Sequence, residues 1–336
     1  MKNIIVRALM ALLVTVSLGR PQTFEKIAQT GCQFLSVSSD AKASALAEAA
    51  TSLEMGSASL FFNPAGMATL NKHFDITLSM NRWIADIRHN TLCAAFSPAR
   101  GRYGVFGATV QSVDYGDIIW TTVANNEKGF IDSTDPAFTG GIGDLGASAV
   151  GFGYSRALSD RFSVGGQVKW VHQQLGANII PTADSTKLVK NELSPLAFDF
   201  GTLYKTGFKS LQFGMSVRNF SKEVRYAQEG FQLPLVFTLG ISMNLLDLVD
   251  WQGVKQSAVL SIDAAHDRSH REQLLVGLDY TLMDILSLRI GYVAGNDEND
   301  ITYGVGISYF GVVFDYAYTP FGVFDNVQRI SARFSL

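Results

Sequence analysis

Apolar and polar residues alternate along most of the chain, from about residue 73 to its last residue. Between Phe74 and Asn81, large apolar residues take every second position, and Asp, Thr, Ser and Asn take the positions between them. Alternation with period two is typical of β-strands that have one apolar and one polar face. The pattern predicts fourteen strands, at residues 73–83, 88–97, 102–113, 144–158, 161–173, 191–205, 209–219, 234–246, 256–265, 272–281, 285–294, 301–310, 311–319 and 327–336.

The two faces of these strands leave two architectures open. The large apolar residues would face inward in a soluble sandwich or barrel, and outward toward lipid in a membrane barrel. Short connections, such as 98–101 and 159–160, alternate with longer and more polar ones, such as 114–143, 174–190 and 220–233. Outer-membrane barrels combine short periplasmic turns, long outer loops and an even number of strands. The arrangement therefore favours an all-β transmembrane barrel of fourteen antiparallel strands.

The first 72 residues do not alternate, and they divide into two segments. Two basic residues precede an apolar stretch from Ala8 to Leu18, which predicts a secretory signal peptide at residues 1–19. Residues 20–72 are expected to form a plug segment in the lumen of an outer-membrane β-barrel at residues 73–336. The alternative for residues 20–72 is an ordered periplasmic cap outside the barrel.

Two short helices are predicted within the plug segment. Asp40 is a good N-cap for an Ala-rich helix. One face of that helix would carry Leu46, Ala49, Ala50 and Leu53. A second helix is predicted at residues 63–70, because Asn63 can cap free N–H groups and Pro64 suits the first helical position.

Composition supports a membrane location over a soluble one. Apolar residues make up 47% of the chain and charged residues only 17%, against about 25% in a typical soluble domain. After the N-terminal stretch, the sequence contains no run of about 20 apolar residues that could form a transmembrane helix. A barrel in contact with outer-membrane lipids satisfies both observations. The net charge of −3 gives no reason to expect a nucleic acid as partner.

Two patterns suggest enzymatic or metal chemistry, and neither has the required context. The Gly-rich string from Gly141 to Gly146 matches a dinucleotide-binding motif, but it is predicted to open a strand where the motif needs a helix. Metal-ligating side chains cluster at one hairpin tip, at Asp263, His266, Asp267 and His270. No further ligand with fixed spacing follows, so a solvated loop is the preferred interpretation. We therefore expect no catalytic residues, no metal site, no cofactor and no enzymatic activity.

Three stretches near the N-terminus resemble a known family. They are Phe34-Leu35, Asp40-Ala41-Lys42-Ala43 and Ala58-Ser59-Leu60-Phe61-Phe62-Asn63-Pro64-Ala65-Gly66-Met67-Ala68. Together they resemble the N-terminal signature of the PorV/PorQ family, a branch of the FadL-like outer-membrane barrels. The core that carries this plug signature is Asn63, Pro64, Ala65 and Gly66. Leu46-Ala47-Glu48-Ala49 stands where that family usually has Met-Gly-Gly-Ala.

The resemblance implies two possible functions. A PorV/PorQ-like barrel would take part in type IX secretion: it would bind the C-terminal domain of exported cargo and pass the cargo to the secretion and attachment machinery. A FadL-like barrel would instead carry a hydrophobic small molecule across the outer membrane. Phe61 and Phe62 are candidate ligand contacts for the second function, and simple packing of the plug is their alternative role.

Two cysteines, Cys32 and Cys93, follow the predicted signal peptide. The alternation places Cys93 on the luminal face of its strand, and Cys32 lies at the start of the predicted plug. A disulfide between plug and wall is conceivable in an oxidising compartment, although buried unpaired cysteines also serve as packing residues. The sequence leaves both states open.

Overall fold

The computed structural model describes residues 30–116, 118–123, 126–136, 138, 145–181, 186–226, 230–249, 253–295, 300–322 and 326–336. The signal peptide expected at residues 1–19 lies outside these residues, and so does most of the Gly141–Gly146 string. The described strands are β1 Phe74–Arg82, β2 Arg88–Phe96, β3 Val105–Asp114, β4 Thr121–Val123, β5 Phe130–Asp132, β6 Leu145–Ala157, β7 Phe162–Pro181, β8 Thr186–Leu193, β9 Leu196–Lys205, β10 Gln212–Ser221, β11 Val224–Arg225, β12 Gly230–Phe231, β13 Val236–Asn244, β14 Gln256–Asp267, β15 Gln273–Leu282, β16 Leu286–Ala294, β17 Ile301–Tyr309, β18 Val312–Thr319 and β19 Val327–Ser335.

Fourteen of these strands form one closed antiparallel barrel. The first strand, β1, pairs with the last, β19, and the pairing of β6 with β7 joins the two ends of the sheet order. Around the ring the order is β1, β2, β3, β6, β7, β9, β10, β13, β14, β15, β16, β17, β18 and β19. This confirms the predicted fold class. No helix in the described part of the chain is long and apolar enough to cross a membrane.

The two faces of the wall have opposite character. On β1, the Leu78 side chain is 56% exposed on the outside, whereas its neighbour Thr77 is 2% exposed and faces inward. The same alternation runs around the ring, so the outer surface is a belt of large apolar side chains that suits lipid. The closed barrel with this belt places the protein in the outer membrane, as predicted.

One long hairpin departs from the predicted strand bounds. β7 continues to Pro181, beyond the predicted end at residue 173, and pairs first with β9 and then with β8. The predicted strand at residues 191–205 covers β9 and only the end of β8, most of which was predicted as loop, and β8 and β9 are separated at Ser194-Pro195, where proline has no N–H to donate to the sheet. The Pro195 carbonyl still accepts a hydrogen bond from Val171 N. The hairpin therefore extends past the barrel rim on the side of the long loops, which is the outer side.

The described part of the plug segment, residues 30–72, runs through the barrel from the outer end to the periplasmic end. Thr30 forms a β-bridge with Gln232 in an outer connection. At the other end, the Ser97 hydroxyl of a periplasmic turn bonds to the Leu70 carbonyl. Most residues between these two points are buried, and wall side chains bond to their backbone. Residues 30–72 thus lie inside the lumen.

The helix predicted after Asp40 is much shorter than expected. The Asp40 carboxylate accepts a hydrogen bond from Ala43 N at 2.8 Å, as an N-cap should. The helix α1, Ala41–Ala45, then ends, because Ala47 and Glu48 adopt left-handed backbone conformations with φ of 53° and 63°. The prediction of one helical face reaching Leu53 was therefore wrong. The other plug helices are 3₁₀ turns at Gln33–Ser36, Gly56–Phe61 and Pro64–Thr69.

Pairs of glycines in the wall make room for the plug. Four pairs lie directly opposite each other in register: Gly107 with Gly153, Gly165 with Gly201, Gly214 with Gly240, and Gly277 with Gly291. A Cβ added at Gly165 would lie 2.5 Å from the Pro64 carbonyl carbon, which is far inside van der Waals contact. The inner wall is thus shaped to the plug backbone at these positions.

One carboxylate joins the first strand, the last strand and the plug. Asp75 on β1 is fully buried. It accepts a hydrogen bond from Ser57 N in the plug at 2.7 Å and an ion-paired hydrogen bond from Arg333 Nε on β19 at 2.7 Å. The Ser335 hydroxyl of β19 also bonds to it. The place where the barrel closes is therefore also a place where the plug is fixed.

Candidate functional site

A cavity of about 340 Å³ lies between the plug and the outer rim of the barrel. Its apolar lining comes from wall strands, outer connections and the plug: Phe62, Trp83, Val236, Leu275, Val293 and Phe321. Trp83 and Phe321 pack edge to face, with ring centroids 5.0 Å apart. We call this space the outer cavity. These side chains offer contacts to an apolar compound, polar side chains make up the rest of the lining, and the plug closes the space from below.

The floor of the outer cavity carries three charged side chains. Glu48 comes from the plug, Arg218 from β10 and Arg329 from β19, which lies half-way around the ring from β10. Burial raises the pKa of the Glu48 carboxyl above its usual value, and the charges of Arg218 and Arg329 act in the opposite direction. With Glu48 ionised the group carries a net charge of about +1. The Arg329 guanidinium carbon lies 5.5 Å from the Trp83 ring centroid, so charge and aromatic surface meet in this cavity.

Both arginines also hold the plug backbone. Arg329 Nε donates to the Ser38 carbonyl at 3.0 Å, and Arg218 Nη1 donates to the Phe61 carbonyl at 2.8 Å. Arg218 lies at an irregularity of β10, where the register with β9 shifts between Val217 and Phe220. Arg218 is already an inward position of β10, and the bulge turns the next residue, the buried Asn219, inward as well.

The turn that presents Glu48 is held in an unfavourable backbone conformation. Ala47 and Glu48 are consecutive non-glycine residues in the left-handed region, at a cost of about 1–2 kcal/mol each. These two positions correspond to the Gly-Gly of the family pattern noted above. The turn is kept in place by Thr302, whose hydroxyl accepts from Ala47 N at 3.1 Å and donates to the Ala45 carbonyl at 3.1 Å.

The candidate residues Phe61 and Phe62 point to different surroundings. Phe62 is buried, lines the outer cavity, and its ring centroid lies 5.9 Å from the Arg218 guanidinium carbon. Phe61 is partly exposed to two much smaller spaces beside the same arginine. Phe62 therefore lines the outer cavity, and Phe61 does not.

The signature residues from Asn63 to Gly66 fix the plug to the wall and do not face the outer cavity. Asn63 Oδ1 accepts from Ala65 N at 3.1 Å, which caps the 3₁₀ turn that begins at Pro64. Asn63 Nδ2 also donates to the Thr51 carbonyl at 2.7 Å and to the Thr202 carbonyl at 2.9 Å. One side chain thus joins two parts of the plug and strand β9.

Replacing Asn63 with alanine should destabilise the plug by about 2 kcal/mol, because the cap is lost and two carbonyl groups lose a donor. The measurement is the rate of proteolysis of residues 33–70 in the folded barrel, which should rise about thirtyfold if it follows the opening equilibrium of the plug. Thr69→Ala serves as the control, since it removes only one part-buried bond to the Gly66 carbonyl. Equal proteolysis of both variants would contradict the role assigned to Asn63.

A second cavity of about 380 Å³ lies on the periplasmic side of the plug. The described residues that line it include five charged side chains and no aromatic one: Lys42, Glu54, Lys205, Lys209 and Asp279, with Leu53 and Val259 beside them. Lys205 forms an ion pair with Glu54 at 2.6 Å, and Lys42 forms one with Asp279 at 3.5 Å. We call this space the periplasmic cavity.

A buried charge network supports the wall beside the periplasmic cavity. Arg289 on β16 is 6% exposed. Its Nη1 lies 2.6 Å from Asp315 Oδ1 on β18, and its Nε lies 3.2 Å from Asp279 Oδ1 on β15. The guanidinium group therefore compensates two buried carboxylates in the space between strands and plug.

The structure does not bring the suspected metal ligands together. Asp263 accepts a hydrogen bond from Thr51 N in the plug, whereas His266 contacts Glu272 and His270 contacts Asp267 near the rim. Among the described residues there is no group of three or more side chains that could hold a metal ion.

The cysteines are free thiols in two separate apolar clusters. Cys32 packs near the outer end, with Val113 among its neighbours, and Cys93 packs lower in the lumen, with Leu46 among its neighbours. Burial raises the pKa of the Cys32 thiol to about 11, so this thiol stays protonated at neutral pH.

Sequence reasoning missed the three charged residues on the cavity floor. Arg218 and Arg329 occupy inward positions of the period-two pattern. A charged residue at such a position could have identified both as candidates. Glu48 offered no such signal, because its position depends on the left-handed turn.

Comparison with known proteins identifies similar structures but no sequence family. No protein-family model and no curated protein matches the chain. The Ralstonia pickettii toluene transporter TbuX is similar in structure, with a TM-score of 0.58, 12% identity, and coverage of 88% of this chain and 98% of the transporter. The barrel fold is FadL-like.

Two further structures show the same similarity. CymD, a monoaromatic hydrocarbon channel, aligns with a TM-score of 0.59 and 11% identity, over 89% of this chain and 98% of CymD. The Pseudomonas putida toluene transporter TodX aligns with a TM-score of 0.50 and 11% identity, over 83% of this chain and 92% of TodX. At these identities the similarity establishes the fold alone.

Proposed function

We propose that the protein is an outer-membrane channel through which a small hydrophobic compound enters the cell. The outer cavity is the observation that supports this function. Aromatic and aliphatic side chains line part of it and polar side chains line the rest, and its volume of about 340 Å³ lies near the lower end of the ~300–1,000 Å³ typical of small-molecule sites. A compound of one or two rings, or a short chain, matches this size better than a protein segment does.

The similar structures support transport more than secretion. TbuX and TodX are toluene transporters, and CymD is a monoaromatic hydrocarbon channel. The polar floor formed by Glu48, Arg218 and Arg329 adds a feature of this chain. We infer that the preferred compound has an apolar body, which contacts Phe62 and Trp83, and a polar end, which reaches the charged floor.

Filling the outer cavity should weaken binding of a hydrophobic compound. Val293 faces the cavity, whereas its neighbour Tyr292 on the same strand is 48% exposed on the lipid face. We expect Val293→Trp to weaken binding of the fluorescent probe N-phenyl-1-naphthylamine at least tenfold, and Tyr292→Trp to leave it within twofold. Titration of the purified barrels in detergent measures both affinities. Equal affinities of the two variants for the probe would show that the probe does not bind in the outer cavity.

Type IX secretion is the second candidate function, and it rests on the resemblance of residues 33–70 to PorV/PorQ. The outer loops and the protruding β7–β8 hairpin would then form the docking face for cargo. Affinity purification in mild detergent separates the two functions. Cargo with a common C-terminal domain would support secretion, whereas an isolated barrel with a bound hydrophobic compound would support transport.

A further inference from the structure

Two arginines lie side by side on the outside of the wall, at the outer ends of β1 and β2. Arg82 and Arg88 are cross-strand partners in register, so their Cα atoms are about 4.5–5.5 Å apart. Both are exposed, and the alternation of the two strands puts them on the same face as Leu78 and Leu92 of the apolar belt. Among the described strand pairs, no other cross-strand partners are both lysine or arginine. We call these two residues the arginine pair.

The chain itself compensates the arginine pair poorly. Like charges directly opposite each other destabilise a sheet. The other cross-strand partner of Arg82 is Gln328, which is uncharged, and that of Arg88 is Asp114. Within the described part of the chain, neither Asp114 nor Asp86 of the adjacent turn forms an ion pair with either arginine. An anion from outside the chain would therefore relieve an unfavourable interaction.

The arginine pair lies at the level where the apolar belt ends. Arg82 follows Phe74 by eight positions, and the Phe74 ring stacks on Phe96 near the periplasmic end of the same two strands, with centroids 4.8 Å apart. At about 3.3 Å per residue and a tilt of about 40°, eight positions rise roughly 20 Å across the membrane. The belt of an outer-membrane barrel is about 25 Å tall. The arginine pair therefore lies at the depth of the lipid head groups of the outer leaflet.

Polar side chains extend this patch toward the middle of the membrane. Asn90 occupies the next outward position after Arg88, and its partner on β3 is Ser112. Both are exposed on the outer face, and Ser112 pairs in turn with Ser148 on β6. Amide and hydroxyl groups gain nothing from lipid tails, but they exchange hydrogen bonds with sugar hydroxyl groups. The patch therefore suits a lipid whose head group contains sugars.

A shallow groove continues the patch below the polar side chains. Ala94 on β2 and Ala108 on β3 are cross-strand partners on the outer face. In the same row they are flanked by Ile76 and by Phe152, which are 38% and 70% exposed. The two small side chains leave space between the larger ones, in line with Arg88 on the same strand. An acyl chain can lie in this groove.

We infer that the arginine pair binds a phosphate group of a glycolipid in the outer leaflet of the outer membrane. Phosphorylated glycolipids are the main lipids of that leaflet in most bacteria with an outer membrane. The guanidinium group suits phosphate, because it donates two parallel hydrogen bonds in addition to its charge. Asn90 and Ser112 contact the sugars, and the groove receives an acyl chain. The site lies on the outside of the wall, so it is independent of the outer cavity and of the compound proposed to bind there.

The test is a titration of the purified barrel in detergent with bisphosphorylated lipid A, read out by native mass spectrometry after each variant has been shown to be folded. We expect Arg82→Gln with Arg88→Gln to weaken binding at least tenfold, since charge-assisted hydrogen bonds are lost. The control is Arg102→Gln with Arg156→Gln, which removes the same charge from exposed arginines at the periplasmic end and should stay within twofold. Arg82→Lys with Arg88→Lys keeps the charge and should lose less than fivefold.

The variants can overturn the inference in two ways. If the glutamine pair and the control pair bind lipid A equally well, the arginine pair is not the binding site. If the lysine pair binds as weakly as the glutamine pair, the charge does not hold the lipid, and the assignment is wrong.

Other lipids and free phosphate test the chemistry of the ligand. Lipid A without its phosphate groups should bind the unchanged protein as weakly as intact lipid A binds the glutamine pair, and equal binding of the two lipids would refute phosphate recognition. Phosphatidylglycerol and inorganic phosphate should not displace lipid A at equal concentration. Displacement by either would show a general anion site and would overturn the assignment to a glycolipid.

Discussion

Replacing Arg289 with alanine should lower the free energy of unfolding by about 3–5 kcal/mol, the largest effect we expect from a single substitution. The guanidinium group lies between Asp279 and Asp315, and all three side chains are less than 10% exposed. Its removal leaves two buried carboxylates with less compensation, and such uncompensated charges cost far more than the ion pair contributes. Urea unfolding of the barrel in lipid vesicles measures the loss.

The matched control removes the charges together. Arg289→Ala combined with Asp279→Asn and Asp315→Asn should recover most of the stability, because no buried charge of this group remains uncompensated. If the single and triple variants lose equal stability, the guanidinium contributes through packing and the charge argument is wrong.

Replacing Leu239 with arginine should cost about 2–4 kcal/mol, because this side chain faces the membrane near the middle of β13. Leu239 is 50% exposed on the outer surface. The charged group would have to enter lipid or distort the strand to reach water. Unfolding in vesicles measures the effect, and Ile241→Arg on the same face should behave alike.

The control for this prediction is a luminal position that has room for a long side chain. Ser242 lies on the luminal face of the same strand, but it is 2% exposed and its hydroxyl donates to the Ser52 carbonyl of the plug. Arginine at Ser242 would therefore disrupt the plug. Gln273 lines the outer cavity and already has a long polar side chain, so Gln273→Arg should cost less than about 1 kcal/mol. If Leu239→Arg and Gln273→Arg lower the free energy of unfolding equally, the assignment of the lipid-facing and luminal faces is wrong.

The barrel could be predicted from the sequence because its physical cause is local. A strand between lipid and lumen has to alternate, so Leu78 and Thr77 identify the two faces without any knowledge of their neighbours. The strand count followed from the same rule. The bounds at β7 and β8 were less accurate, because the alternation continues beyond the membrane and Pro195 interrupts only one side of the hairpin.

The path of the plug could not be predicted in the same way. The sequence after Asp40 has good helix formers, and local propensity favours a longer helix than α1. Contacts with the wall end the helix early, since the Thr302 hydroxyl binds the Ala47 N–H and the Ala45 carbonyl. The same applies to the cavity floor: Glu48 meets Arg218 and Arg329 only after the barrel has closed, and each residue lies far from the others in sequence.

The wall glycines are visible in the sequence, but the sequence does not show that they pack against the plug. In the sequence, Gly165 and Gly201 take polar-face positions of the alternation, where a glycine indicates only a small residue. The pairing of Gly165 with Gly201 depends on strand register, which a single sequence specifies weakly. Their contact with Pro64 then depends on the plug.

The position of Asp75 has a consequence for how the protein is assembled. Its carboxylate is satisfied only when the first strand, the last strand and the plug are all present, because its partners come from Ser57, Arg333 and Ser335. A ring that closes while still empty leaves this acid at the seam without its plug donor. An empty ring is therefore less stable at its seam, and the seam reaches its full stability only when the N-terminal segment lies in the lumen.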